Sequence, residues 1–190
     1  MNLGEAKKKA ISLILEYTND GGLIGDIENA DYLTVMNRFA NDAQMEIAKK
    51  VGIPASMIIL QPGVQVNGYQ RYPLPADFMA LRSVSRNDCA FHDYKVQNGQ
   101  IWLRTRYDGS FELFYEKVPT LIDPNTPDSY EFEVDLHTQH LIPYYLGGLV
   151  MAEEKEGVSA RLLNIYYEML ANLKDYKTQI PSTIHSVDGW

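Results

Sequence analysis

Apolar residues recur at helical spacing towards both ends of the chain and alternate or cluster at strand spacing in its middle. Leu3, Ala6, Ala10, Leu13, Ile14 and Tyr17 share one face of a first helix, with Asn2 as N-cap and Glu5 three residues on. The lysines between them fall away from that stripe. Asn19-Asp20-Gly21-Gly22 ends the helix, because glycine accepts left-handed geometry at little cost, and a short loop runs to Glu28. Asn29 or Asp31 opens a second helix with a stripe of Tyr32, Val35, Met36, Phe39, Ala43, Ile47 and Val51, stopped by Gly52 and Pro54. The short connection predicts that these helices pack as an antiparallel pair.

From Met57 to Glu116 the period shifts towards two. Met57–Leu60 is an apolar run, Pro62-Gly63 turns it, and Val64-Gln65-Val66 alternates up to Asn67-Gly68, a strong hairpin signal because both residues tolerate positive φ. Phe78–Val84 reads as a strand. Phe91–Val96 and Ile101–Leu103 flank a second hairpin at Gln97-Asn98-Gly99, and Asp108-Gly109 turns into Phe111–Tyr115. Between these strands lies Tyr72-Pro73-Leu74-Pro75-Ala76-Asp77-Phe78. Its prolines fix φ and remove amide donors, so the run is expected to be neither helix nor central strand. Tyr72 and Leu74 are pushed towards extended geometry, and Asp77 is placed to close a local turn on nearby amides. Phe78, Leu81 and Val84 then supply apolar anchors for the strand after the corner. With one acid and no nucleophile–base pair, the run reads as scaffold.

Pro119–Ser129 is a proline-rich loop. Asp135 looks like the N-cap of a helical pattern reaching Glu156, in which Pro143 marks either a kink or the true first turn. Gly147-Gly148 weakens that helix but permits close approach of another backbone. Gly157 ends it, and Ser159 caps a last helix striped by Leu162, Tyr166, Met169, Leu173 and Tyr176, and widened by Leu163, Tyr167 and Leu170. From Lys177 the chain changes again. Pro181 breaks any helix, yet Ile184, Val187 and Trp190 are apolar, so this tail either frays or docks on a partner. The fold expected is α+β: a bundle of about four helices over residues 1–176, a small antiparallel β element inserted at 57–118, and an extended tail at 177–190.

At 190 residues, with 45% hydrophobic and 22% charged residues, the chain can bury a proper core. A formal charge of −8 argues against gripping a nucleic-acid backbone, though DNA could slide past such a surface without sticking. The lone Cys89 excludes an internal disulfide and points to a reduced, intracellular assembly site. Lys7-Lys8-Lys9 before Ala10–Leu15 has the outline of a signal peptide, but Ser12, Glu16 and the missing small-residue cleavage site argue against one. No run is long and apolar enough to span a bilayer.

Candidate chemistry is sparse. His137 and His140, one helical turn apart, could share a metal with Asp135 or Glu133, but the plainer reading is a capped helix start with polar histidines. His92, in an expected strand, and His185, in the tail, have no companions. Glu153-Glu154-Lys155-Glu156 reads as a solvated helix end, and Cys89 beside Asp88 has no positive neighbour to favour a thiolate. Asp20-Gly21-Gly22-Leu23-Ile24-Gly25 lacks the lysine of a phosphate loop. The 13 Tyr, 6 Phe and 2 Trp, without interleaved Arg and Lys, read as core and interface. No catalytic residue, metal site or cofactor is expected.

The order of these features resembles the head–tail connector (adaptor) proteins of tailed bacteriophages. Members commonly carry a Tyr-x-Leu-Pro-x-Asp-Phe stretch, matched here at Tyr72, Leu74, Pro75, Asp77 and Phe78, although Pro73 fills the open position. A Tyr with a Pro–Leu exit comes next, here Phe114-Tyr115-Glu116 and Pro119-Thr120-Leu121, then closing helices with an acidic run and an aromatic stripe, here Glu153–Glu156 and Tyr166-Tyr167. The likeness of order spans nearly the whole chain, through short motifs. It implies a helical bundle with a β insertion, a dodecameric ring beneath the portal protein, contacts with tail or neck proteins, and a channel that genomic DNA traverses without specific binding. It implies a place in the virion neck, assembled in the host cytoplasm, with no membrane. In related adaptors the C-terminal segment reaches the portal, which would assign that contact to Pro181, Ile184, His185, Val187 and Trp190. Gly147-Gly148 stands where alanines are expected, and the loop around Asp123–Glu133 is long and acidic. Two other readings stand beside this one: a stopper or tail-completion protein of the neck, and a metal-dependent hydrolase using Asp135, His137 and His140.

Overall fold

A computed structural model describes residues 1–17, 30–59, 63–107 and 109–173. The fold is α+β, with four α-helices and eight strands in two four-stranded antiparallel sheets among the described residues. The β portion is therefore far more than the small inserted element expected. The chain divides into two compact units, a helical one from Met1–Ile53 with the segment after Pro119, and a β unit beginning at Pro54 and running to Val118. The Asn19–Gly22 stop, the loop to Glu28, Tyr176 and the tail with Pro181, Ile184, His185, Val187 and Trp190 lie outside the described residues.

Helix α1 spans Leu3–Tyr17, α2 Ala30–Val51, α3 Ile142–Val150 and α4 Glu156–Asn172. The first begins in a reciprocal capping box. The Glu5 amide donates to Asn2 Oδ1 at 2.8 Å, and the Asn2 amide donates to Glu5 Oε2 at 3.1 Å. Helix α3 reads Ile-Pro-Tyr-Tyr-Leu-Gly-Gly-Leu-Val, without a charge, and seven of its nine residues are buried. A helix apolar all round must be surrounded, so α1, α2 and α4 each pack on it while α1 and α2 touch only slightly. The expected antiparallel pair of α1 and α2 is thereby replaced by a central third helix. Pro143 sits in the first turn of α3, the second of its two expected roles, after a 3-10 turn at Gln139–Leu141. The helix ends at Val150, well before Glu156. Lys155 is the N-cap of α4, so Gly157 and Ser159 lie inside the first turn of α4 instead of stopping one helix and capping the next. No helix is long and apolar enough to cross a membrane among the described residues.

The segment from Pro119 to Asp135 has little regular structure but is held as a strap. Asn37 Nδ2 reaches the carbonyls of Asp123, Pro124 and Thr126 at 3.0–3.3 Å, and Asn41 Oδ1 accepts the Ile122 amide at 3.1 Å. Gln44 Oε1 accepts the Glu133 amide at 2.9 Å, while Gln139 Nε2 donates to the Phe132 and Val134 carbonyls. Asn37, Gln44 and Gln139 are buried, where an irregular backbone needs such partners. Asn37→Ala is expected to destabilise the helical unit by about 1–3 kcal/mol, because three strap carbonyls lose a buried donor. Urea denaturation followed by circular dichroism checks this.

In the β unit, β1 (Pro54–Ile59), β8 (Phe111–Lys117), β4 (Phe78–Arg86) and β5 (Cys89–Phe91) form the first sheet in that order. The second runs β2 (Val64–Val66), β3 (Tyr69–Pro73), β7 (Gln100–Arg104), β6 (Tyr94–Gln97). Their inner faces share one core, with Val84, Phe91, Phe111 and Leu113 from the first sheet and Tyr72, Ile101 and Leu103 from the second. The hairpins at Asn67-Gly68 and Asn98-Gly99 form as expected, all four residues having positive φ. A hairpin not anticipated turns at Asn87-Asp88, with φ of 48° and 64°, and carries β4 into β5 without a glycine. The expected strand Phe91–Val96 is split, because the chain passes from one sheet to the other at His92-Asp93.

Tyr72 and Pro73 also depart from expectation, since both lie in β3, an interior strand between β2 and β7. The proline is tolerated because β2 pairs only as far as Arg71, leaving Pro73 to overhang it. On the other side the Leu74 amide bonds to Gly99 O at 3.0 Å, so the ladder to β7 continues past the proline. Pro54, expected to stop a helix, also opens the edge strand β1, where a missing donor is harmless.

Candidate functional site

The corner from Tyr72 to Phe78 ties the two sheets of the β unit together. The buried Tyr72 donates its hydroxyl to Gln70 Oε1, and the Phe78 amide closes a turn on Pro75 O at 3.0 Å. Asp77 does not close that turn with its side chain. Its carboxylate accepts the Tyr115 hydroxyl at 3.1 Å, and its backbone oxygen accepts the Val118 amide at 2.7 Å. The Phe78 ring stacks on Tyr115 at 5.8 Å between centroids. Burial, then Asp77, pushes the Tyr115 hydroxyl pKa up, so it stays a donor. These contacts hold a scaffold and present no reacting group.

The neighbouring Glu116 is only 1% exposed, and Arg82 Nε stands 2.8 Å from its Oε1 as an ion pair without hydrogen-bond geometry. Burial raises the Glu116 pKa, with Arg82 pulling the other way. Its folded state holds the proton more tightly than the unfolded chain, so its contribution is full below about 4.5 and is lost as pH rises through the raised value. Stability of the β unit is expected to fall over that window, and Glu116→Gln to remove this part of the fall, measured by chemical denaturation across pH.

The proposed metal ligands do not converge. Asp135 Oδ1 is taken by the His137 amide at 2.8 Å, as in a local cap, and Glu133 Oε1 accepts the Thr120 amide at 3.0 Å. His137 and His140 are exposed, and His140 lines a shallow groove of about 300 Å³ with Lys9, Ser12, Leu13, Pro143 and Tyr144. No group of three or more His, Cys, Asp or Glu side chains is arranged to hold a metal ion among the described residues. Cys89 is exposed on β5, and His92 is in a loop and not in a strand. Glu153 and Glu154 are exposed, in the turn after α3 and not at the helix end expected of them.

The pleat assembles one surface that the linear order conceals. On the outer face of the second sheet, Tyr69 pairs with Arg104 and Arg71 with Trp102, while Lys95 pairs with Trp102 from the other side. The Arg71 guanidinium lies 3.8 Å from the Trp102 ring centroid; Lys95 Nζ and the Arg104 guanidinium lie 5.1 and 5.6 Å from that of Tyr69. Arg104 Nε is also 3.2 Å from Asp93 Oδ1. Arg71 Nε and Trp102 Nε1 are buried without a hydrogen-bond partner. The aromatics are therefore interleaved with cations after all. The signal was present as aromatic–x–cation in Tyr69-Gln70-Arg71 and Trp102-Leu103-Arg104, once both are read as strands. Charge is segregated too: Pro54–Val118 holds seven Arg and Lys against six Asp and Glu, and the rest of the chain ten against nineteen.

Neither a protein-family model nor a curated protein matches the chain.

Proposed function

We propose that the chain is a structural subunit of a tailed-bacteriophage neck, a head–tail adaptor that forms a dodecameric ring beneath the portal and bridges it to the tail around the DNA channel. The observation that carries this reading is an interrupted helical unit: both flanks of the chain build it, and a self-contained β unit from Pro54 to Val118 stands between them in sequence. The Tyr72–Phe78 corner, one of the several stretches that carry the resemblance, lies inside that β unit and braces it through Asp77 and Tyr115. The acidic balance of the helical flanks suits a subunit past which DNA moves without being held. The work is mechanical, with no catalytic group, cofactor or membrane contact, and it belongs to the virion neck.

In this reading the tail residues Pro181, Ile184, His185, Val187 and Trp190 reach the portal. Deleting Lys177–Trp190 is expected to leave the helical circular dichroism signal unchanged and to weaken co-sedimentation with the portal protein. A truncate that unfolds would assign the tail to the core instead. Replacing His137 and His140 together by Ala is expected to leave that co-sedimentation unchanged; its loss together with loss of a bound metal would favour the hydrolase reading.

A further inference from the structure

We propose that the outer face of the β2-β3-β7-β6 sheet docks a second copy of this chain, and that what it receives is the acidic strap of the neighbouring copy's helical unit. The proposal rests on the ring reading only in expecting the contact to close.

The face offers apolar area with cations set into it. Val64 is 70% exposed at one margin, Lys95 and Arg104 are exposed, and Tyr69 and Trp102 are half-covered by the cations stacked on them. Because the Arg71 guanidinium already occupies one face of Trp102, a nucleobase cannot stack there. Arg71 instead offers N–H groups to an anion that brings its own apolar neighbours.

The strap has the complementary character. From Leu121 to Asp135 it carries Asp123, Asp128, Glu131, Glu133 and Asp135 and no Lys or Arg; Lys7 Nζ already holds Asp128 Oδ1 at 2.7 Å, and Glu131 is exposed. Leu121 and Leu136, flanking the acids, are 69% and 70% exposed. Asn37, Asn41, Gln44 and Gln139 fix its backbone, so little conformational entropy is lost on docking. Face and strap lie on different units of the chain, so the contact is head-to-tail. Such a contact repeats from copy to copy until it closes into a ring or continues as a filament.

The test uses the full chain in sedimentation velocity over a range of concentration and salt, with Lys95→Glu, Glu131→Lys and the double variant, each checked for folding by circular dichroism. Both sites are exposed strand or strap positions. The expected results are salt-sensitive self-association of the parent, weakened about tenfold or more by either single reversal and largely recovered in the double variant. Single variants that associate like the parent overturn the proposal, as does a double variant that fails to recover. A parent that stays monomeric both alone and with the portal also overturns it, even where a single-stranded oligonucleotide binds through Lys95. Rings that form on the portal unchanged by Lys95→Glu would sink the docking surface and leave the adaptor reading standing. Lys95-dependent self-association without portal binding would do the reverse.

Discussion

Tyr166→Ala is expected to destabilise the helical unit by about 3–5 kcal/mol, the range for deleting a large buried aromatic side chain. Tyr166 on α4 is fully buried, its ring 4.8 Å from that of Tyr145 on α3 and 5.1 Å from that of Tyr167. Its hydroxyl donates to Glu46 Oε2 on α2 at 3.0 Å, so one side chain links three helices. Tyr166→Phe separates the two contributions: it keeps the ring and loses a hydrogen bond to a charged acceptor, for about 1.5–3 kcal/mol. Burial first, and then Glu46, drives the Tyr166 pKa well above its ordinary value, and burial pushes Tyr145 up to about 12. Above about pH 10 the unfolded chain releases these protons while the folded chain keeps them. Stability is thus fully present below that point and is lost as pH rises, and Tyr166→Phe should lose it less steeply. Urea denaturation read by far-ultraviolet circular dichroism at neutral and alkaline pH measures both effects.

Gly148→Val is expected to cost about 3 kcal/mol, at the upper end of the range for overpacking a core. A Cβ at Gly148 would stand 2.6 Å from Leu163 Cγ and 3.3 Å from the Leu163 amide nitrogen, so α4 would have to move. At Gly147 a Cβ would meet Leu162 Cδ1 at 3.1 Å and the Ala10 carbonyl at 3.5 Å, which shows α3 held between α4 and α1. The gain in helix propensity offsets only a few tenths of a kcal/mol. Gly157, in open space in the first turn of α4, is the control. Gly157→Ala is expected to be neutral or stabilising by up to about 1 kcal/mol. A thermal melt of the three proteins side by side checks the contrast.

Much of the local structure was legible because local chemistry decides it. Asn2 with Glu5 started α1, Asn67-Gly68 and Asn98-Gly99 set two hairpins, and Pro143 marked a first turn. The larger arrangement was not legible, because it depends on partners distant in sequence. The length of β2 decides whether Pro73 can end an interior strand, and the buried amides of α2 decide whether the acidic loop is a strap. The uncharged run of α3 did announce a surrounded helix, and weighing the burial it demands would have displaced the pairing of α1 with α2. The candidate site divides the same way. The turn leading into a strand at Phe78 was visible, whereas the cationic–aromatic face needed two strands brought side by side at one register.

The adaptor reading makes a specific demand on the molecule. A ring subunit must offer its neighbours two unlike surfaces and still leave a segment free to engage the portal. The sheet face and the strap are proposed for the first, and the residues after Lys177 for the second. The most direct test is electron microscopy of the protein mixed with the portal protein of the same virion, beside the protein alone. A ring stacked coaxially on the portal is the expected result. A chain that remains monomeric and ignores the portal would contradict it.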